Sequence, residues 1–410
     1  MVVTIILVAA ALLSLVLTLW QCIVALRFPL HRRLGDRGPT PAVSILKPLK
    51  GADAETFHCL ESWLTQQYPG PVQILFGVAS KDDPACELAR ALMAAHPDRD
   101  ARLVFCGDSL GANAKVSTLI QLRREVRHDI LVVSDADVSV PSDLLVNLVA
   151  PLRDPEVGLV NCLYRLANPS TIAMQWEAVA VNADFWSQVL QSQSLKPIDF
   201  ALGAVMATTV GRLDAAGGFA ALADVLADDY QLGNRIARDG GRIVLCPVVV
   251  DCRESSRGWK EVWKHQLRWA RTIRVCRPSA YFFSILGNAT LWPLLAAQFS
   301  SLQLSADWSL PWSGSFQVGS ATVSVVSVRG GISLSWAFFL LLFCLAARVL
   351  TAFQLQRRMC QSPRHWIYLW LVPIKDLLNA AVWLMAFLGN TVEWRGRRYR
   401  VRRGGLLEGN

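Results

Sequence analysis

Residues 129–137 read DILVVSDAD. Ile130 to Val133 is a run of strand-forming apolar residues, and it stops at two carboxylates one residue apart, Asp135 and Asp137. Such a run, bounded by polar signals, is the pattern of a strand buried on both faces. In open α/β sheets the ligand crevice lies outside the carboxyl ends of the strands. Carboxylates at i and i+2 leaving a strand suit one hard divalent cation, and that cation can hold a diphosphate. Asp is also common in turns after strands, so the rest of the chain decides.

On both sides of this stretch, strands and helices alternate. Residues 43–46 read as a strand, 60–67 as a helix, 72–78 as a strand, 86–95 as a helix, 102–105 as a strand and 116–126 as a helix. Short connections between them predict a mostly parallel, doubly wound α/β sheet with right-handed crossovers. The loops after these strands are polar: 47–51 is KPLKG, 80–84 is SKDDP and 111–115 is GANAK. A further strand is predicted over 157–163, an amphipathic stretch over 173–190, and a helix opening at 227–232, ADDYQL. Acids in a first helical turn also suit the helix dipole.

The 410 residues are 53% hydrophobic and 18% charged. A soluble domain joined to a few membrane segments satisfies both figures. Residues 2–26 carry no charge and are long enough to cross a bilayer. They lack the basic start and small-residue cleavage site of a signal peptide. Residues 281–304 and 332–353 are further spans, and 366–392, broken by Pro373, Lys375 and Asp376, is a re-entrant or interfacial pair. Trp259 to Arg274, WKEVWKHQLRWARTIR, interleaves Trp with Lys and Arg, the pattern of an interfacial helix. The expected division is an anchor at 1–27, a catalytic domain at 28–258, the interfacial helix at 259–280, and a membrane region with a basic tail at 281–410.

Net charge is +9, and the excess sits beside the apolar segments: Arg27, Arg32, Arg33 and Arg37, then Arg395, Arg397, Arg398, Arg400, Arg402 and Arg403. Basic flanks of this kind face the cytoplasm. With no nucleic-acid motif present, nucleic acid is not an expected partner. Ten cysteines without a CxxC pair argue against a disulfide framework or a zinc site.

Several of these pieces in order resemble the ceramide glucosyltransferase family, membrane-bound, family-two-like GT-A glycosyltransferases. VSILKPLKG at 43–51 looks like the opening strand and KDDPA at 81–85 like the first acidic motif. SDAD at 134–137 looks like the second acidic motif and LADDY at 226–230 like the third. GANAK, HQLRW at 265–269 and WRGRRYRVRRGG at 394–405 look like the lysine loop, the Q/RxxRW signature and the tail. The signature departs at its first position, where His265 stands with Gln266 beside it. Bacterial hopanoid glycosyltransferases, which attach N-acetylglucosamine, look much the same.

The resemblance implies a GT-A, Rossmann-like catalytic domain with membrane helices at both ends. It implies a multi-pass protein of a bacterial inner membrane, its catalytic domain cytoplasmic, moving a sugar from UDP-glucose to ceramide with inversion. UDP-N-acetylglucosamine and a hopanoid are the alternative donor and acceptor. Asp135 and Asp137 would hold Mg2+ or Mn2+. Ser44, Lys47, Asp83, Lys115 and Asp135 would meet the nucleotide sugar. Asp229 would be the general base, with Asp228 its rival. Arg268 would pair with the diphosphate and Trp269 would pack on the acceptor or donor sugar; His265 and Gln266 are possible participants. A processive polysaccharide synthase would need many more spans. An inactive scaffold would have lost one of Asp135, Asp137 or Asp229. A transporter would carry polar groups within its spans.

Overall fold

The computed structural model describes residues 2–34, 38–307, 315–318, 321–324, 336–362, 367–394 and 397–409. Arg37, Arg364, Trp366, Arg395 and residues 332–335 of the expected third span lie outside these.

Helix α1 (Val2–Arg27) leads into a sheet of eight strands: β1 (Val43–Leu49), β2 (Val72–Val78), β3 (Asp100–Phe105), β4 (Ile130–Ser134), β5 (Val138–Ser139), β6 (Val157–Leu166), β7 (Val205–Thr209) and β8 (Arg242–Cys252). Their spatial order is β3-β2-β1-β4-β7-β6-β8-β5. Strands β1 to β4 are mutually parallel where they pair, linked by α2 (Thr56–Leu64), α3 (Ala85–Ala95) and α4 (Ala114–Leu122). Strand β7 runs antiparallel to both β4 and β6, so the sheet is mixed rather than doubly wound throughout. The central strands β1, β2 and β4 are apolar on both faces. Leu46, Leu75 and Val133 pack one way with Leu119 of α4; Ile45, Phe76 and Val132 pack the other way with Leu60 of α2 and Leu92 of α3. This double burial is what an uninterrupted run such as ILVV encodes.

Helix α5 (Leu144–Val149) follows β5, α6 (Ile172–Val179) and α7 (Trp186–Leu195) follow β6, α8 (Val210–Ala215) follows β7, and α9 (Asp228–Arg238) precedes β8. Residues Ala180–Phe185, between α6 and α7, are π-helical. The Trp-rich helix α10 (Trp259–Cys276) comes next, as its pattern predicted.

The helices α1 and, further on, α13 (Trp336–Cys360) are long and apolar enough to cross a membrane. The stretch 281–304 is not one straight span. It divides into α11 (Pro278–Ser284), a single turn at Ile285–Gly287, and α12 (Leu291–Asp307), bent by 55°. Asn288 makes the break: its side-chain oxygen accepts from the N–H groups of Thr290 and Leu291, at 3.2 and 2.9 Å. Pro293 lacks the N–H that would continue the ladder back across it. Helix α14 (Leu371–Ala386) has 16 residues, about 24 Å of rise. That falls short of a ~30 Å hydrocarbon layer.

Four buried charges join these helices to the sheet domain. Arg348 of α13 donates to Asp184 of the π-helical turn at 2.8 Å and to Asp376 of α14 at 2.9 Å. Lys375 contacts both acids, the second at 2.6 Å. Thr290, beside the bend, donates to Asp376 at 2.7 Å.

The C-terminal residues form a small antiparallel sheet, β11 (Thr391–Trp394), β12 (Arg397–Val401) and β13 (Leu407–Gly409), after the two-stranded β9 (Ser315–Val318) and β10 (Ala321–Ser324).

Candidate active site

Strand β4 ends at Ser134, so Asp135 and Asp137 emerge at the carboxyl edge of the sheet. The neighbouring strands deliver the rest. Lys47, on β1, is fully buried and donates to Ser134 Oγ at 3.2 Å and to the carbonyl oxygen of Asp135. Its ammonium also lies 5.1 Å from the Trp63 ring. Burial brings its pKa down to about 8. Lys47 therefore shapes the turn that carries the acid pair.

Lys115, in the first turn of α4, bridges two acidic motifs. Its ammonium is 2.8 Å from Asp135 Oδ1 and 3.1 Å from Asp228 Oδ2. Burial opposes the charge, but Asp135, Asp228 and Asp229 outweigh it and raise the lysine above its ordinary range. Asp228 is thus committed to a cation. Asp229, next in the chain, accepts only from the N–H of Tyr230 (2.7 Å) among the hydrogen bonds of the described residues. Burial and the Asp228 charge push its carboxyl up to about 6. Gly203 lies against it: a Cβ there would stand 2.7 Å from Asp229 Oδ2. Only glycine leaves that face of the acid open.

Asp137 is pushed up to about 7 by burial, by Asp135 and by Glu254. Among the described residues, no three His, Cys, Asp or Glu side chains are grouped to hold a metal. Two hard carboxylates are nevertheless the donor set that Mg2+ takes from protein when phosphate oxygens supply the remainder. Asp135 and Asp137 fit such a cation.

The helix α10 carries the HQLRW motif. Glu177 of α6, fully buried, holds its first two positions: His265 Nδ1 lies 2.5 Å from Glu177 Oε1, and Gln266 donates to the same oxygen at 2.9 Å. Arg257 takes the other oxygen at 2.6 Å. Burial would raise this carboxyl, but these partners hold it below the ordinary range. The His265 ring lies 4.7 Å from Trp269, which in turn packs on Phe185 at 6.0 Å, and Phe185 on Tyr164 at 5.4 Å. This aromatic row ties α10 to β6. Arg268 lies between the two anchored positions and is partly buried.

Of two other expected nucleotide contacts, one lies away from the carboxyl edge and one lies at it. Ser44 lies buried near the start of β1, donating to Gln73 at 2.6 Å, away from the carboxyl edge of the sheet. Asp83 sits at that edge after β2 and accepts from the N–H groups of Gly51 (2.9 Å) and Ala85 (2.9 Å), joining the loops after β1 and β2. With β1 between β2 and β4, two strand spacings of about 4.8 Å separate it from the β4 acids. Sequence reasoning missed Glu177 and Gly203. The first had a readable signal, a lone acid in the apolar run IAMQWEAV; the second had none.

An α/β sheet with acids at the carboxyl edge of a central strand, and membrane helices at both ends, is a GT-A glycosyltransferase architecture. The same fold is seen in a mannosyltransferase from Pyrobaculum calidifontis in complex with GDP-Man and Mn2+, with TM-score 0.51 and 19% identity over 93% of this chain and 98% of that one. The chain matches Glycosyl transferase family 21 over residues 4–316 and 313–407, and it belongs to that family. Ceramide glucosyltransferase 3 of Caenorhabditis elegans is 23% identical over 93% of this chain and 77% of its own length. Ceramide glucosyltransferase 1 of the same organism is 22% identical over 93% and 76%. A ceramide glucosyltransferase of Candida albicans is 36% identical over 27% and 22%. The protein is a lipid glycosyltransferase.

Proposed function

We propose that the protein transfers glucose from UDP-glucose to the hydroxyl of ceramide, with inversion at the anomeric carbon. The names of the relatives that span most of the chain support glucose as the sugar and ceramide as the acceptor. The observation that carries the mechanism is the division of labour in the LADDY motif: Lys115 occupies Asp228, while Asp229 keeps its carboxyl open beside Gly203.

In this reading Asp229 takes the proton of the acceptor hydroxyl as its oxygen attacks the anomeric carbon. The bond from that carbon to the diphosphate oxygen breaks, and UDP leaves on the opposite side. One displacement turns an α-linked donor into a β-linked product. Lys115 and Arg268 face the negative charge that gathers on the diphosphate. Asp83 takes N–H or O–H groups of the nucleoside with the capacity its two backbone bonds leave. Trp269 packs beside the sugar or acceptor. Asp135 and Asp137 would hold a divalent cation, which when bound would supply positive charge against the leaving diphosphate.

The protein is a multi-pass membrane protein with its catalytic domain on the cytoplasmic face. Protease added to sealed inverted vesicles cuts this domain; protection would reverse the orientation. The activity is tested by incubating the purified chain with UDP-glucose or UDP-N-acetylglucosamine and with ceramide or a hopanoid polyol, and weighing the products. A hexosylceramide that forms with Mn2+ and not with EDTA is expected. A product only from UDP-N-acetylglucosamine and the hopanoid would replace this donor and acceptor, and indifference to EDTA would remove the cation.

A further inference from the structure

The arginine-rich tail, whose composition suggests a lipid-facing flank, folds back onto the catalytic loops. Its strands alternate. Val392, Tyr399, Val401 and Leu407 point inward and pack with Leu226, Ala112 and Val275, while Glu393, Arg398 and Arg400 are exposed. Positions of period two on one face of a small sheet make this a docking face rather than a solvated basic run.

The contacts fall on three chemistry-bearing segments. The first is the loop before α9. The Leu226 N–H donates to the Gly405 carbonyl at 2.9 Å, and the Leu407 N–H donates to the Asp224 carbonyl at 2.7 Å. On the other side of the acid pair, Gln231 donates to the Gly404 carbonyl at 2.6 Å. The Leu226 and Gln231 bonds bracket Asp228 and Asp229 two residues before and two residues after, and the Asp224 bond lies four residues before. They depend on the turn at Gly404 and Gly405, with φ +79° and +84°, which L side chains rarely adopt.

The second segment is the lysine loop. Tyr399 donates to the Ala112 carbonyl at 3.4 Å. Asn113, which caps α4 two residues before Lys115, is tied through its own N–H to the Ala223 carbonyl and through its side chain to the Val225 carbonyl, both at 2.8 Å. The third segment is α10. Lys264 pairs with Glu393 at 2.8 Å, Arg271 donates to the Thr391 carbonyl, and Arg274 donates to the Gly389 carbonyl at 3.3 Å.

We propose that the C-terminal sheet is a positioning clamp for glycosyl transfer. It holds the Lys115 loop, the Asp228–Asp229 turn and the HQLRW helix in register, with Leu407, Tyr399 and Gln231 as its positioning residues. This rests on the reading of those segments given under the proposed function. The backbone that carries the β4 acids does not depend on the clamp, because the sheet itself holds it; only the Lys115 pairing of Asp135 reaches across to a clamped loop. Undocking the tail should therefore slow the chemical step while leaving the nucleotide's grip on β4 intact.

The test uses the full chain in detergent with Leu407→Asp, which puts a charge into the docking face. Gln231→Met removes one bracket bond and is the milder second variant. Leu407→Met is the conservative control. Leu407→Asp is expected to lower kcat about tenfold while changing the KM for UDP-glucose less than about twofold, and Gln231→Met to lower kcat less. Leu407→Met should retain wild-type kcat. Amide hydrogen exchange in Leu407→Asp should quicken across 112–116 and 224–231 and stay slow in β1, β2 and β4. Exchange that is unchanged at those loops, or that quickens equally in the central strands, would overturn the clamp. So would wild-type kcat with an undocked tail. If the unaltered chain makes no glycolipid from any donor and acceptor, the functional reading fails; the exchange measurement still decides whether the tail holds the loops.

Discussion

Two clusters of buried charge, one around Asp184 and one at the carboxyl edge of β4, are built oppositely. Around Asp184 the charges balance: Arg348 and Lys375 face Asp184 and Asp376, and Thr290 donates to one of the acids. At the carboxyl edge of β4 they do not. Among the ion pairs of the described residues, Asp135 and Asp228 share Lys115, Lys47 donates to Ser134 and to a backbone carbonyl, and Asp229 and Asp137 are pushed up to about 6 and 7. A cluster that satisfies itself fixes geometry. A cluster left short of positive charge is receptive to a cation and its ligand, and perturbed carboxylates in such a place mark function. The contrast separates the part of the molecule that docks the apolar helices from the part proposed to do chemistry.

Removing the open acid should break the unbalanced cluster most severely. Asp229→Asn is expected to cut kcat about 10²- to 10⁴-fold with expression unchanged, read as glycolipid formed per unit time. Near-normal turnover would transfer the base to Asp228. Breaking the balanced cluster should cost stability instead. Arg348→Met strands the carboxylates of Asp184 and Asp376 with Lys375 alone, and about 3–5 kcal/mol of destabilisation is expected. It would be seen as a lower thermal midpoint in detergent, and Arg348→Met with Asp184→Asn should recover part of it. An unchanged midpoint would remove the distinction between the two clusters.

The smallest effect is a pH shift that sharpens the comparison. Asp229 must be ionised to accept a proton, so activity should fall as pH drops through about 6. Lys115→Met removes a charge that favours ionisation and should move this limb to higher pH. Stability carries the opposite sign. The folded acids bind protons up to about 6–7 and the unfolded acids only to about 4, so their contribution favours folding at low pH and is lost as pH rises through about 6–7. A limb that stays in place in Lys115→Met would mean another group controls it.

Much of the site was legible because its parts are local. The run ILVV before two acids states its own burial and its own end, and the β/α alternation up to residue 134 follows from period and turn residues. The Trp and basic spacing of 259–274 gave α10 for the same reason. Other features escaped because they depend on partners far along the chain. Ser44 and Lys47 are polar residues of one strand, and only the register with β2 and β4 sends one into the core pairing with Gln73 and the other to the acid turn. The uncharged run 281–304 satisfied a hydropathy criterion that does not register a side chain turning back on its own backbone at Asn288.

By itself the sequence determined where the central strand ends in carboxylates, which helices are apolar enough to enter a membrane, and that a lysine loop and a third acidic pair exist. These are consequences of residue type and short-range spacing. Only the tertiary structure decided that Lys115 selects Asp228 and leaves Asp229 open, that Glu177 holds the first two positions of HQLRW, and that the basic tail docks on the catalytic loops. Each of those is a choice among equally charged candidates. A contact across 88 or 113 residues is settled by packing and burial, which no local pattern contains.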